Sequence, residues 1–222
     1  SESTLPSTTT QALPKTTEAS APSEETTAPE PVSDKYFDDA LFIGDSRVEG
    51  LQLYGNIKNA TYYTAKGLTV TELLTKPFVK TPDGKKTLDA MLTAHQFGKI
   101  YIKLGVNELG WPYPEKFAEA YGKLLDKVIE LEPDALIYVQ SILPVTAKKA
   151  ADGNVYTNKK IDIFNERIAE LCNERGLVYL NVREAVMDEN GALPEDAAAD
   201  GIHLNKKYCA LWCDYLRTHT EQ

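Results

Sequence analysis

Residues 40–43 (Ala-Leu-Phe-Ile) form a short unbroken apolar run that stops at Gly44-Asp45-Ser46. Four more runs have the same character: Thr61-Tyr-Tyr-Thr64 before Gly67, Ile100-Tyr-Ile-Lys-Leu104 before Gly105, Ala135-Leu-Ile-Tyr-Val139 after Pro133, and Leu177-Val-Tyr-Leu-Asn-Val182 after Gly176. Rich in Ile, Val and Tyr and bounded by turn residues, they read as five strands. A different period lies between them. Phe117, Tyr121, Leu124, Leu125 and Val128 recur at three and four residues after Pro114, a suitable first-turn proline. Ile161, Phe164, Ile168, Leu171 and Cys172 repeat that spacing before Gly176, and Tyr208, Leu211, Trp212, Tyr215 and Leu216 do so near the end. Strands alternating with amphipathic helices predict a parallel sheet covered on both faces, a three-layer α/β/α domain of about five strands. Residues 79–86 and 147–158 read as surface loops.

The chain has 222 residues, and its composition divides it. Residues 1–33 hold 8 Thr, 6 Ser, 5 Pro and 5 Glu, with no aromatic residue. Such a stretch cannot bury enough apolar surface to offset its backbone entropy, so it is expected to be a disordered stalk, with the folded domain over 34–222. Stalks of this type hold domains away from cell surfaces, so an extracytoplasmic location is expected, with any membrane contact through an N-terminal anchor that this chain does not contain. The net charge of −9 and the lack of a basic run argue against nucleic acid as a partner. Cys172, Cys209 and Cys213 show no CxxC spacing, which argues against a zinc site or a disulfide framework. No cofactor or metal is expected. Asp188-Glu-Asn-Gly191 fails the EF-hand spacing and reads as a turn.

In parallel α/β sheets a site forms at the carboxyl ends of the strands. Ser46 follows the first strand, Gly67 the second and Asn107 the third, while Asp200 and His203 precede the last helix. Ser46 alone would be an ordinary helix N-cap. Asp200-Gly-Ile-His203 changes the picture, because a serine hydroxyl needs a base and a histidine needs a carboxylate on its far nitrogen. One tight turn with an intervening Gly supplies both. A backbone N–H at Gly67 and the Asn107 amide are donors suited to an oxyanion. His95 and His219 have no Asp nearby at a strand end and read as solvated or partly packed.

Phe42-Ile-Gly-Asp-Ser-Arg47, Lys66-Gly-Leu-Thr69, Leu104-Gly-Val-Asn-Glu108 and Asp200-Gly-Ile-His-Leu204 resemble, in order, the four motif blocks of the SGNH hydrolase superfamily, the GDSL-type esterases and lipases. The resemblance spans residues 42–204. It implies a flavodoxin-like five-stranded sheet, Ser46 as nucleophile, Asp200 and His203 as its partners, and an oxyanion hole of Ser46 N–H, Gly67 N–H and Asn107. Two positions depart from the pattern: Arg47 stands where Leu is usual and Glu108 where Asp is usual. Arg47 is a candidate charge contact to substrate. Trp111 and Tyr113, in the loop after Asn107, are candidates for an aromatic cleft wall, the alternative being that both rings cap the core. The expected activity is removal of a short acyl group, such as acetyl, from a glycan or other polar ester. An acyltransferase acting on a cell-surface sugar hydroxyl and a non-catalytic binding module are the alternatives.

Overall fold

In a computed structural model of the chain, the described residues are 28–221. Most of the expected stalk, residues 1–27, lies outside them. Among the described residues, Val32 is tied to the domain: its N–H donates to Arg217 O at 2.9 Å and its side chain packs on the core.

The five strands form one parallel sheet. They are β1 (Ala40–Gly44), β2 (Thr61–Thr64), β5 (Lys99–Lys103), β6 (Leu136–Gln140) and β7 (Val178–Leu180), in the order β2-β1-β5-β6-β7. Each strand alternates its side chains between two cores. Leu41, Ile43, Ile100, Ile102, Ile137 and Val139 face one side. There α2 (Val70–Thr75), α3 (Leu88–Ala94), α4 (Pro114–Leu131) and α6 (Asn158–Arg175) cover them. Phe42, Tyr101 and Tyr138 face the other side, under α1 (Ser46–Tyr54) and α7 (Lys206–Thr218). The register puts Tyr62, Phe42, Tyr101 and Tyr138 level with one another. Their rings stack across four strands at centroid distances of 5.0, 4.6 and 4.5 Å. The three-layer α/β/α architecture is therefore the one the apolar periodicity predicts.

Two stretches differ from the loops expected of them. Residues 79–86 form a hairpin, β3 (Val79–Thr81) antiparallel to β4 (Gly84–Lys86), closed by Pro82-Asp83 with Gly84 at φ +106°. Three-residue strands that hold Lys80, Lys85 and Lys86 and only Val79 as a large apolar residue leave almost no apolar period to detect. Within 147–158, α5 (Ala147–Ala151) is a single turn started by Thr146, whose side chain accepts from Lys149 N–H. The same region is pinned to the rest of the domain by the Thr146 N–H, which donates to Gly201 O at 3.0 Å.

Candidate active site

The turn from β1 into α1 is built by Gly44 and Asp45. A side chain at Gly44 would collide with Val48 and with Lys103 O, the latter at 2.6 Å from an added Cβ, so only Gly lets the strand pass. Asp45, not Ser46, caps the helix: its Oδ1 accepts from Arg47 N–H at 3.0 Å. Ser46 thus becomes the first helical residue, half-buried, with its hydroxyl released from capping. No partner takes its N–H among the described residues, so a free donor stands at the positive end of the helix dipole.

The turn at 200–203 meets this serine. Asp200 Oδ1 accepts from the N–H groups of Ile202 and His203 at 2.9 and 2.8 Å, while Gly201 takes φ +80°. This local turn fixes the carboxylate, leaving Oδ2 to meet His203 Nδ1 at 2.6 Å. His203 Nε2 lies 2.8 Å from Ser46 Oγ. Burial alone would push the Asp200 carboxyl up, but the hydrogen bonds from the His203 ring and from the two N–H groups hold it at about 2. It is therefore ionised across the working range, which suits it to orient a histidine and to stabilise its cation. Both side chains remain about half exposed, so the site is shallow and open to solvent.

The other two donor positions follow β2 and β5, and Gly67 shares the cleft with Ser46. Gly67 takes φ +71°, a conformation that favours glycine, and is exposed at the cleft. Asn107 lies in a tight turn after β5, half-buried, and one of its Nδ2 hydrogens goes to Leu68 O at 3.0 Å. That bond ties its loop to the Gly67 loop, and the amide keeps a second hydrogen for another acceptor.

A GDSL-like lipase/acylhydrolase family model matches residues 42–208. The chain belongs to that family. With membership, the reading of the chain as a serine ester hydrolase stands at the family's level. Solved structures share the fold of this GDSL-like hydrolase at low identity. One, provisionally described as a platelet activating factor from Streptococcus pneumonia, is 24% identical with a TM-score of 0.64, over 87% of this chain and 84% of that one. A carbohydrate acetylesterase, Est24 from Sinorhizobium meliloti, is 14% identical with a TM-score of 0.58, over 80% and 95%. An acetylxylan esterase, Axe2 from Geobacillus stearothermophilus, is 13% identical with a TM-score of 0.57, over 82% and 94%. No curated protein matches the chain by sequence.

The substrate contacts expected from the sequence are placed otherwise in this GDSL-like hydrolase. Arg47 is only 2% exposed, turned inward, and its guanidinium donates to Leu143 O and Pro144 O at 2.6 and 2.7 Å. It ties α1 to the segment after β6 and is not placed to contact a substrate in the cleft. Burial lowers its guanidinium to about 10, still charged near neutrality. Trp111 is half-buried against the core and Tyr113 projects into solvent, and neither lines the cleft at Ser46. Glu108 is fully buried, like Lys103 and Asp45, whose Nζ and Oδ1 are 3.5 Å apart. A layer of buried ionisable side chains therefore lies under the loops that carry Ser46 and Asn107. Burial drives Lys103 down to about 8.

The cleft, of about 480 Å³, is instead walled by α1: Glu49, Gly50, Leu53 and Tyr54 face Lys66 and Gly67 across it. Leu53 and Tyr54 are more than half exposed. Their only sequence signal is that they fall off the buried Val48–Leu51 side of the helix. His95 and His219 end α3 and α7, remote from the site. The three cysteines are buried and free, and among the described residues no His, Cys, Asp or Glu cluster has the makings of a metal site. Asp188 closes a turn by accepting from Asn190 and Ala192 N–H.

Proposed function

We propose that this hydrolase removes a short acyl group, acetyl in the simplest case, from a glycan or similar polar ester through an acyl-enzyme on Ser46. The observation that carries this reading is the continuous chain from Ser46 Oγ through His203 to an ionised Asp200, opening into a shallow cleft. Ser46 Oγ attacks the ester carbonyl as His203 Nε2 takes its proton. The tetrahedral oxyanion accepts from Ser46 N–H, Gly67 N–H and the free hydrogen of Asn107. Collapse expels the alcohol, which takes the proton back from His203. Water, activated by the same imidazole, then attacks the acyl-serine and frees the acid.

An open cleft with exposed His203 and Asp200 admits a bulky hydrophilic alcohol and lacks the enclosed channel that a long fatty acyl chain requires. The two neighbours described as carbohydrate acetylesterase and acetylxylan esterase support the same choice. Action outside the cytoplasm belongs to this reading and is motivated by the composition of residues 1–33.

The test is a panel of p-nitrophenyl esters graded from acetyl to dodecanoyl, with mass spectrometry of the quenched enzyme to find the acyl-serine. Activity should peak at the shortest chains and vanish in Ser46→Ala. A Ser46→Ala variant with full activity would refute the mechanism, and a preference for long chains would refute the substrate class. Acyl transfer to an added sugar in place of water would identify a transferase.

A further inference from the structure

The cleft at Ser46 continues past α1. A second depression of about 320 Å³ shares Glu49 and Leu53 with it, and is otherwise walled by residues that include Gln52, Tyr62, Thr64 and Lys80. The two adjoin at Glu49 and Leu53 and together reach from Ser46 to the β3–β4 hairpin. The lining of this groove suits a polyhydroxyl chain. Glu49 accepts hydroxyl hydrogens, Gln52 and Thr64 both donate and accept, and the exposed Tyr54 ring gives a flat apolar face.

The charges along this groove are unusual for a chain of net charge −9. Lys80 is directly opposite Lys85 in the hairpin register. Opposed residues of an antiparallel pair project from the same face, and like charges there work against folding. Glu49 is the one acidic residue in the lining of the groove, and it pairs with none of them. Among the described residues, Lys66, Lys80 and Lys85 form no salt bridge, and Asp83 at the hairpin tip pairs with none of them. Lys66, next to Gly67, is a single further unpaired cation at the other end of the groove. Placing uncompensated cations against each other along a groove that leads to the nucleophile makes sense when an anion completes them.

We propose that the groove binds an anionic, hydroxyl-rich polymer, a glycan or polyol chain bearing carboxylate or phosphate groups, and presents one of its esters to Ser46. The assignment rests on the esterase reading above. The unit bearing the ester sits between Leu53, Tyr54 and Lys66, and the charges of neighbouring units meet Lys80 and Lys85.

The test uses full-length Ser46→Ala protein, titrated by calorimetry with polygalacturonate, poly(glycerol phosphate) and neutral xylan. Binding to at least one of the anionic polymers, weakened by salt, is expected, with none to xylan. Which polymer binds decides between carboxylate and phosphate. Adding Lys80→Gln and Lys85→Gln should lower the affinity roughly tenfold, the order of two exposed ion pairs. The single Lys85→Glu variant, checked with the double variant by thermal unfolding, should weaken binding in the same direction. Equal binding by all variants, binding of xylan alone, or binding of no polymer would overturn the proposal. Hydrolysis of p-nitrophenyl acetate by the wild-type chain is measured separately. If it is absent while the anionic polymer binds, the esterase reading fails and the groove stands. If it is present while no polymer binds, the groove fails and the esterase reading stands.

Discussion

Replacing Glu108 with Gln reads the buried charge beneath the site. Glu108 is fully buried, and neither carboxylate oxygen has a hydrogen-bond partner. Burial, helped by the charge of Asp45, pushes its carboxyl up to about 8, and the pull of Lys103 and nearby N–H groups does not reverse this. An unfolded chain releases the same proton near 4.5. The folded state thus holds a proton that the unfolded state has given up. Stability from this group is complete below about pH 4.5 and is lost as pH rises toward 8. At about 1.36 kcal/mol per pH unit, that interval sets a ceiling of roughly 5 kcal/mol. Glu132, whose carboxyl is also raised by burial, is present in both proteins, so its contribution cancels in the comparison. Asp200 titrates near 2, below that interval, and Lys103, lowered to about 8, adds stability only as pH climbs above that value. Gln has nearly the same shape and does not titrate. Urea unfolding of both proteins at pH 5 and pH 8 provides the assay. Wild type should lose at least about 2 kcal/mol more than Glu108→Gln between the two pH values, well inside the ceiling. Equal losses, within about 1 kcal/mol, would show Glu108 ionised in the fold and refute the reasoning.

Ser46→Ala, His203→Ala and the double variant should lose nearly the same catalytic efficiency, since linked groups do not lose additively; a double variant much worse than either single would contradict the linkage. Asp200→Asn should drop kcat severely through the wrong histidine tautomer, while thermal unfolding changes little because the turn keeps its backbone. Asn107→Ala should cost about 10²–10³ in kcat with KM little changed; a pure KM effect would remove it from the oxyanion hole. Trp111→Ala should lose about 2 kcal/mol of stability, as truncation of a half-buried ring does, while catalytic efficiency stays within about twofold, because the ring packs on the core away from the cleft.

The sheet was legible in the sequence because strand and helix periods are local. Ala40–Ile43 or Phe117–Val128 must bury what they carry wherever they end up, and the turn residues around them leave few ways to connect. Ser46, Asp200 and His203 were legible for a related reason: a strand-end serine and a DxxH turn are short-range arrangements that each work within a few residues. What those residues meet is another matter. Arg47 looked like a substrate contact because adjacency in sequence puts it beside Ser46, yet a helix turns about 100° per residue and sends the next side chain elsewhere. It goes inward, to carbonyl groups at Leu143 and Pro144 nearly a hundred positions away. Trp111 was misplaced by the same assumption. Glu108 showed as a departure from a motif, but its burial beside Asp45 and Lys103 arises only when β1 and β5 pair. The cleft wall of Leu53 and Tyr54, and the opposition of Lys80 to Lys85, likewise follow from which faces remain uncovered once distant elements have packed. Local chemistry determined the Ser46, Asp200 and His203 arrangement, and tertiary packing decided which of its neighbours line the cleft.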